Sequence, residues 1–326
     1  MISIAGLGVA GAYLMRRLGN EGMEVAGFDP KVDGFYVPCG YATNRNIMDG
    51  LLANVGLSVD SYIEKTADQV VFESEGGKVL RLRGKGLCTI DKNMMERDLL
   101  GEINFSRKKA EMPPSREDIL IDATGVSRYY LGPSPRDFLM FTKEYLASTS
   151  RHGEFYFRYF SSGRGYYWEF PMNNGYHVGA GGDSADLVRN SLNWVSNPLK
   201  VVSRKIRLSP LFDDMFKGNI IGVGEAIGTV SPITGEGILP SMESAEILFR
   251  QLAKHDDVET IKANYSAEIR KKFSRFTKLY GLLIDARNGE LRKLSNLSAV
   301  RSAKEDFENF GIEMKIGKVL RQLAFT

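Results

Sequence analysis

A group of glycines near the start of the chain has the type and spacing of a nucleotide-binding turn. Gly6, Gly8 and Gly11 form a G-x-G-x-x-G between an apolar run and a helical pattern. Backbone amides and the positive end of the following helix can hold a pyrophosphate there. Asp29 ends the next apolar run, where a carboxylate suits the ribose hydroxyls of an adenosine. The pattern predicts dinucleotide binding, with Ala10 also in the turn; a purely structural turn is the alternative, and FAD and NAD are not separated.

Two later segments indicate which dinucleotide is bound. At residues 119–125 an apolar strand runs into Ala-Thr-Gly, which resembles the second strand and turn of FAD enzymes. Residues 219–238 resemble the G-D-A-x-G and P-x-x-G-x-G segments of flavoproteins related to p-hydroxybenzoate hydroxylase, with Glu225 replacing the usual aspartate. A carboxylate there could accept hydrogen bonds from the ribityl chain, and a helix beginning near Gly235 would direct free N–H groups at the flavin. Three segments in this order predict FAD, and three ordinary turns are the alternative. The implied cofactor contacts are Ala123, Gly125, Gly224, Glu225, Gly228, Gly235, Gly237 and Ile238.

An aromatic strand carries the most specific motif. Tyr166, Trp168 and Phe170 alternate, and seven residues separate the following Pro171 from a G-x-G that begins at Gly179. Alternation along a strand puts the three rings on one face. From spacing alone, the core of a sheet is the favoured interpretation, and an apolar wall beside a ligand is the alternative.

Together these motifs resemble the geranylgeranyl reductase family. The aromatic segment matches that family's Y-x-W-x-F-P with its following G-x-G, and Pro38-Cys39-Gly40 lies where the family has a Cys-Gly pair beside the flavin. Residues 91–99 are similar to its D-R-x-x-F-D-x-x-L, with Lys92 replacing arginine. The resemblance implies that Tyr166, Trp168 and Phe170 line a hydrophobic substrate cavity. It further implies cofactor contacts from Cys39, Gly40, Lys92 and Arg97.

The resemblance also implies a reaction, the saturation of isoprenoid C=C bonds by reduced FAD, with archaeal-type prenylated glycerophospholipids as substrates. Hydride would go to one alkene carbon and a proton to the other, and Cys39 or a water beside it is the candidate proton donor. A second nucleotide motif is not found, so ferredoxin and NAD(P)H both stay open as the electron donor. A flavin monooxygenase is the alternative function. A non-catalytic flavin-binding protein is another, because Asp29, Lys92 and Glu225 depart from the usual residues.

The elements needed to position these motifs predict an α/β fold. We expect a doubly wound FAD-binding domain of residues 1–57, 84–135 and 206–257, a β-rich substrate domain of 58–83 and 136–205, and a helical region at 258–326. Predicted strands cover residues 2–5, 24–28, 69–73, 78–83, 86–90, 119–122, 155–160, 166–170, 176–180, 200–208 and 219–223. Predicted helices cover residues 12–20, 44–57, 91–102, 184–195, about 235–253, and the chain from 258 onward.

Composition excludes several other classes. The net charge of +3 is too small for a nucleic-acid surface, and the two cysteines, Cys39 and Cys88, have neither disulfide-framework nor zinc-site spacing. His152, His177 and His255 have no spacing that suggests catalysis or metal binding, so we expect no metal. Apolar runs are too short to cross a membrane and no secretion signal is seen, so a cytoplasmic location is expected.

The C-terminal region has an amphipathic pattern. Apolar residues recur every three or four positions from Ile261 to Leu283, which predicts a helix with one apolar face. The opposite face is basic. Its residues are Lys262, Arg270, Lys271, Lys272, Arg275 and Lys278. A surface helix packed on the core is the favoured interpretation, and peripheral contact with anionic lipid headgroups is the alternative.

Overall fold

Apolar runs separated by glycine-rich turns build the first half of the protein, as expected for strands buried on both faces. The computed structural model describes residues 1–31, 37–112, 118–290 and 297–315. The strands are β1 (Ile2–Ala5), β2 (Val25–Phe28), β3 (Ala42–Asn44), β4 (Ile63–Thr66), β5 (Gln69–Ser74), β6 (Val79–Gly84), β7 (Leu87–Ile90), β8 (Phe105–Ser106), β9 (Ile119–Asp122), β10 (Leu139–Ala147), β11 (Phe155–Tyr159), β12 (Gly165–Met172), β13 (Gly175–Gly182), β14 (Lys200–Arg207), β15 (Phe216–Lys217), β16 (Ile220–Gly222) and β17 (Ile312–Glu313). The helices are α1 (Val9–Asn20), α2 (Arg45–Ala53), α3 (Lys92–Leu100), α4 (Ala185–Ser191), α5 (Ile238–Leu252), α6 (Val258–Lys272), α7 (Ser274–Arg287) and α8 (Leu297–Asn309).

The first sheet carries the glycine-rich turn. Within the described residues its strand order is β15-β16-β9-β1-β2-β8, parallel except where β15 pairs with β16. Ile4, Leu120 and Ile121 at its centre have no solvent exposure. Strand β1 ends at Ala5 and α1 begins at Val9, so the turn between them lies at the carboxyl end of the parallel strands. Helix α1 then packs against α3 and α5. The predicted doubly wound arrangement is confirmed.

The second sheet forms one wall of the space above this edge. Its order among the described strands is β14-β10-β13-β12-β11-β5-β6-β17, and β3, β7 and β4 form a small third sheet. Strand β10 was not predicted from the sequence. The positions of β10 that face inward include Thr142 and Glu144, both buried, and these polar residues hide the apolar alternation on which a strand prediction depends.

The C-terminal region is helical, as predicted, but the amphipathic helix predicted from Ile261 to Leu283 is divided in two. Helix α6 ends before Phe273, where φ is −105° and ψ is 20°, and α7 begins at the next residue. Ile312 and Glu313 form a strand that pairs with β6, so the chain is not helical from residue 258 to the end. Residues 291–296 and 316–326 of the predicted helix lie outside the described residues.

The predicted basic face is largely neutralised by the protein itself. Lys262 pairs with Glu259 at 2.6 Å, and Arg270 pairs with Asp213 at 2.5 Å. Lys272 pairs similarly with Glu243, and Arg275 is buried against Asp306. In the described part of the chain, only Lys271 and Lys278 of this face are without an ion pair. These pairs support a helix packed on the core. None of the described helices combines the length and apolar character needed to cross a bilayer.

Candidate functional site

A cavity of about 760 Å³ lies between the carboxyl edge of the first sheet and the inner face of the second. It brings most of the predicted motifs together. Predicted site residues that line it are Gly6, Gly8, Ala10, Asp29, Cys39, Gly40, Lys92, Ala123, Gly125, Tyr166, Trp168, Phe170, Glu225, Gly235, Gly237 and Ile238. Arg97 is exposed on α3 and does not line the cavity, whereas its neighbour Glu96 does. Gly11, Gly224 and Gly228 support the walls from behind, where a Cβ atom would lie within 3 Å of a neighbouring atom.

The glycine-rich turn leaves space for a phosphate. Gly8 precedes α1, and α1 has no side-chain cap, so the first amides of the helix are free to bind an anion. A Cβ atom on Gly8 would point into the cavity, with its nearest neighbour, the Oε1 atom of Glu96, 3.8 Å away. The turn therefore fits the pyrophosphate of a dinucleotide.

Asp29 lies next to this turn, as the sequence predicted for a ribose-binding carboxylate. Its Oδ2 atom accepts a hydrogen bond from the Leu7 amide at 2.7 Å, and its Oδ1 atom accepts one from the Lys31 amide at 2.9 Å. The Lys31 ammonium is also 3.5 Å from Oδ2, whereas Oδ1 has one amide partner and two lone pairs, so Oδ1 can still accept from a ribose hydroxyl. The Asp29 carboxylate therefore fits the ribose of an adenosine.

Glu225 has partners that the sequence did not indicate. Its Oε2 atom forms an ion pair with Arg204 of β14, and its Oε1 atom accepts from the Arg207 amide at 3.0 Å. Both oxygens of Glu225 are therefore engaged by the protein. Arg204 also lines the cavity, and its position on a strand of charged and apolar residues gives no motif by which it could have been found.

The spacing of the aromatic motif follows from strand register. Trp168 lies directly opposite Gly179 on the neighbouring strand, and Tyr166 lies opposite Gly181. A Cβ atom on Gly179 would be 2.1 Å from the Cζ2 atom of Trp168. The glycine therefore lets the indole lie flat against β13 and face the cavity.

Two further motifs meet the same strand. A Cβ atom on Gly40 would be 2.6 Å from the Phe170 ring, and one on Gly235 would be 1.8 Å from the Tyr166 hydroxyl oxygen. The Tyr166 hydroxyl donates to the Thr234 carbonyl at 2.8 Å. Strand β12 is thus the surface on which the Pro-Cys-Gly loop and the turn before α5 converge.

A buried carboxylate holds the Pro-Cys-Gly loop against the aromatic strand. Glu144 accepts from the Gly40 amide at 2.6 Å and from the Trp168 indole at 3.3 Å, and it contacts Nδ1 of His177 at 2.7 Å. Glu144 and His177 were missed by the sequence analysis because they are 33 residues apart and belong to no motif. The other histidines have separate partners, with His152 bound to Glu169 and His255 to Asn264.

Cys39 and Cys88 have different surroundings. Cys39 lines the cavity, where burial raises the pKa of its thiol to about 12, partly offset by Lys92. The thiol is therefore protonated at neutral pH and releases its proton with difficulty. Cys88, on β7 of the third sheet, is fully buried in the large apolar cluster that also includes the first sheet, and it does not line the cavity.

Glu236 is an unexpected member of the site. It lies inside the P-x-x-G-x-G segment, but only the glycines of that segment had been assigned a role. Its Oε1 atom accepts from the Leu239 amide at 2.8 Å and from the Thr43 hydroxyl at 3.3 Å. Burial raises the pKa of this carboxyl to about 8, so it is mostly protonated at neutral pH.

Comparison with known proteins relates this site to flavoproteins. A digeranylgeranylglycerophospholipid reductase from Methanococcus vannielii is 29% identical over 140 residues, a match that covers 38% of this chain and 36% of that protein. A geranylgeranyl bacteriochlorophyll reductase-like protein from Thermoplasma acidophilum has the same fold, with a TM-score of 0.69, 15% identity, and coverage of 99% of this chain and 98% of that one. The predicted resemblance to geranylgeranyl reductases is confirmed.

Other flavoproteins share the architecture. A probable FAD-dependent monooxygenase from Pseudomonas aeruginosa has a TM-score of 0.65 at 15% identity, covering 88% of this chain and 96% of that one. A flavin-dependent halogenase from Brevundimonas has a TM-score of 0.67 at 11% identity, covering 99% of this chain and 94% of that one. The family model described as tryptophan halogenase matches residues 115–288. Because this match covers more than half of the chain, the protein belongs to the tryptophan halogenase family of FAD-dependent oxidoreductases.

Proposed function

We propose that this protein is an FAD-dependent reductase that saturates C=C bonds in isoprenoid lipid chains. The observation that carries the proposal is the continuity of the cavity, which joins the glycine-rich turn to an apolar chamber faced by Trp168 and Phe170. The prenylated-lipid class is supported by the name of the Methanococcus relative.

The far end of the cavity suits a hydrocarbon chain. Met140, Ile206, Leu208 and Val230 line it, and three of these four belong to one buried apolar cluster. An isoprenoid contributes only apolar surface, so its transfer into this chamber is favoured by about 25 cal/mol for each Å² removed from water. The same chamber would leave the polar groups of a hydrophilic substrate without partners.

Different residues of the chain have different roles in such a reduction. The amides at Gly8 to Ala10 would bind the pyrophosphate, Asp29 would bind the ribose, and the amides in the first turn of α5 would help to hold the flavin. FAD, when bound and reduced, would supply the hydride. Trp168 and Phe170 would exclude water and hold the alkene, and Cys39, which lines the same cavity, stays a candidate proton donor.

Purified protein gives a direct test by absorbance and mass spectrometry. Anaerobic reduction with dithionite should bleach the flavin bands, and a geranylgeranyl glycerophospholipid should restore them with a gain of two hydrogens for each reduced bond. Flavin that stays reduced until air is admitted would contradict the reductase proposal.

The family match and the structural neighbours favour oxygen-dependent chemistry on an aromatic substrate as the second candidate. NAD(P)H-driven oxygen consumption with an oxygenated or halogenated product would establish it. Reduced flavin that reacts productively with neither lipid nor oxygen would favour a non-catalytic flavin-binding protein. Supplying ferredoxin or NAD(P)H in place of dithionite then identifies the electron donor.

A further inference from the structure

We propose that Glu236 donates the proton for the alkene reduction and is reprotonated through a small cavity behind it. This inference rests on the proposed function. It replaces the thiol suggested by sequence with a carboxylic acid that faces the same chamber.

Glu236 is placed at the boundary between the cofactor and substrate parts of the cavity. It follows Gly235, which packs under the Tyr166 hydroxyl, and it contacts Thr43, which lies close after the Cys39–Gly40 loop. Only 7% of the residue is exposed, and it lines the large cavity. Glu236 is therefore a residue of the same cavity wall as Tyr166, Trp168 and Phe170.

A carboxyl in this setting matches the requirement for an acid at neutral pH. General acids work best when their pKa lies near the working pH, and Glu236 has a pKa of about 8. Burial is the main cause, the Leu239 amide opposes it, and Glu243 and Asp306 add to it. The Cys39 thiol, with a pKa of about 12, is a much weaker acid in the same space.

A second, much smaller cavity lies behind Glu236. It measures about 10 Å³, close to the least volume that holds one water molecule. Its polar residues are Ser231, Thr234, Glu236, Glu243, Arg275, Asp306 and Asn309, and three of these are acidic.

Two other acidic residues, Asp306 and Glu243, line this small cavity with Glu236. Asp306 of α8 is held by the Ser231 hydroxyl at 2.5 Å and by Arg275 of α7 at 3.3 Å. Glu243 of α5 pairs with Lys272, and the side chains of these two residues are 11% and 42% exposed. A proton can thus reach Glu236 from the surface side without crossing the substrate chamber.

The π bond of the alkene breaks, one carbon receives hydride from reduced FAD, and the other forms a C–H bond with the proton of Glu236. The electron pair of the broken O–H bond stays on the carboxylate, which then takes a proton from solvent. The alkene gains two electrons and FAD loses two.

Glu236→Gln removes the proton while keeping the size and the acceptor oxygen. We expect anaerobic reoxidation of the reduced protein by the lipid to slow by about 100-fold or more, with FAD affinity unchanged. Glu236→Asp should retain part of the rate. Glu246→Gln is the matched control, because Glu246 lies on α5, the helix that follows Glu236, but bonds to Tyr13 and Arg17 outside the cavity.

Infrared difference spectra supply a readout that does not depend on turnover. Wild type minus Glu236→Gln should show a protonated carboxyl that ionises with a midpoint near pH 8, and Glu243→Gln should lower that midpoint by removing a neighbouring negative charge. A carboxylate already ionised at pH 6, or full reoxidation rate in Glu236→Gln, would overturn this inference alone. A wild-type protein that never reduces the lipid would overturn the proposed function and this inference with it.

Discussion

At the scale of single residues, the motifs of this protein are explained by what each glycine lets approach. Gly179 lets Trp168 lie flat, Gly40 lets Phe170 come close, and Gly235 accommodates Tyr166. The three glycines come from separate motifs, yet all three contact rings on one strand. These glycines, which belong to cofactor motifs in the sequence, are therefore also needed for the aromatic rings of β12 to pack.

Gly179→Ala tests this packing. The new methyl group would overlap the indole of Trp168, so the ring must rotate, and we expect a loss of roughly 1 to 3 kcal/mol in the free energy of unfolding. Urea unfolding and tryptophan fluorescence measure both effects. Gly50→Ala is the control, since a Cβ atom there meets nothing within 4 Å and should not destabilise the protein. Equal stability of the two variants would contradict the packing argument.

The buried carboxyl of Glu236 predicts a pH-dependent stability. Its pKa is about 8 in the folded protein against 4.5 for the free group, so the folded state binds the proton more tightly. The free energy of unfolding of the wild type should therefore fall, relative to Glu236→Gln, as pH rises from about 4.5 to 8, by roughly 4 kcal/mol in total. Denaturant unfolding at a series of pH values measures this difference. A difference that does not change with pH would show that the carboxyl ionises normally.

At the scale of elements, β10 positions the chemistry although its sequence does not look like a strand. Its inward-facing Glu144 joins β12, β13 and the loop before β3 through three hydrogen-bonded contacts. Such a residue lowers the apolar alternation of the strand while fixing the geometry of its neighbours. The buried polar residues interrupt the apolar alternation of β10, which explains why the strand was not predicted from the sequence.

Replacing Glu144 by leucine should destabilise the protein. The Gly40 amide and the Trp168 indole would lose this buried acceptor, which costs about 1 to 3 kcal/mol for each group. FAD affinity should also fall, because the loop held by Glu144 lines the cavity. Glu154→Gln breaks only a surface pair with Arg81 and should change stability by less than about 1 kcal/mol. Urea unfolding and flavin titration compare the variants, and an unaffected flavin affinity would argue against a positioning role.

We expect helices α6 and α7 to attract anionic lipid headgroups only weakly. Most basic side chains of their outer face have acidic partners, which leaves little net charge for headgroups. We expect most of the protein to stay in solution when sedimented with phosphatidylglycerol vesicles at physiological salt. Strong binding that is lost in Lys271→Glu would instead favour the peripheral membrane contact considered from the sequence.

At the scale of the whole molecule, the site exists only between two sheets. The first sheet supplies the phosphate-binding turn, and the inner face of the mixed eight-stranded sheet supplies the aromatic wall. We propose on this basis that residues 1–57, 84–135 and 206–257 fold as the cofactor domain around the β-rich segments 58–83 and 136–205. Residues 258–326 are proposed as a separate helical region.

Bound FAD should therefore stabilise the folded protein as a whole. A ligand at 100 times its dissociation constant adds about 2.7 kcal/mol, so removal of FAD should lower the melting temperature. Gly8→Val should abolish this FAD-dependent shift, because its side chain would project into the phosphate space without a clash in the apoprotein. Gly19 lies in α1, and a Cβ atom there meets nothing within 4 Å, so Gly19→Ala should keep the FAD-dependent shift in melting temperature. Calorimetry with and without FAD decides between these outcomes.

The sequence by itself determined the cofactor and the local elements that carry its motifs. The glycine-rich turn, Asp29 and the alternating aromatic residues depend on short-range geometry, which spacing along the chain expresses directly. Only the tertiary structure showed the partners that are distant in the chain, such as Arg204 against Glu225 and Glu144 against His177. It also showed that Arg97 is exposed and that Glu236 is buried. Burial and long-range pairing arise from how sheets and helices pack, and they set the charge state of a carboxyl, which no local spacing records.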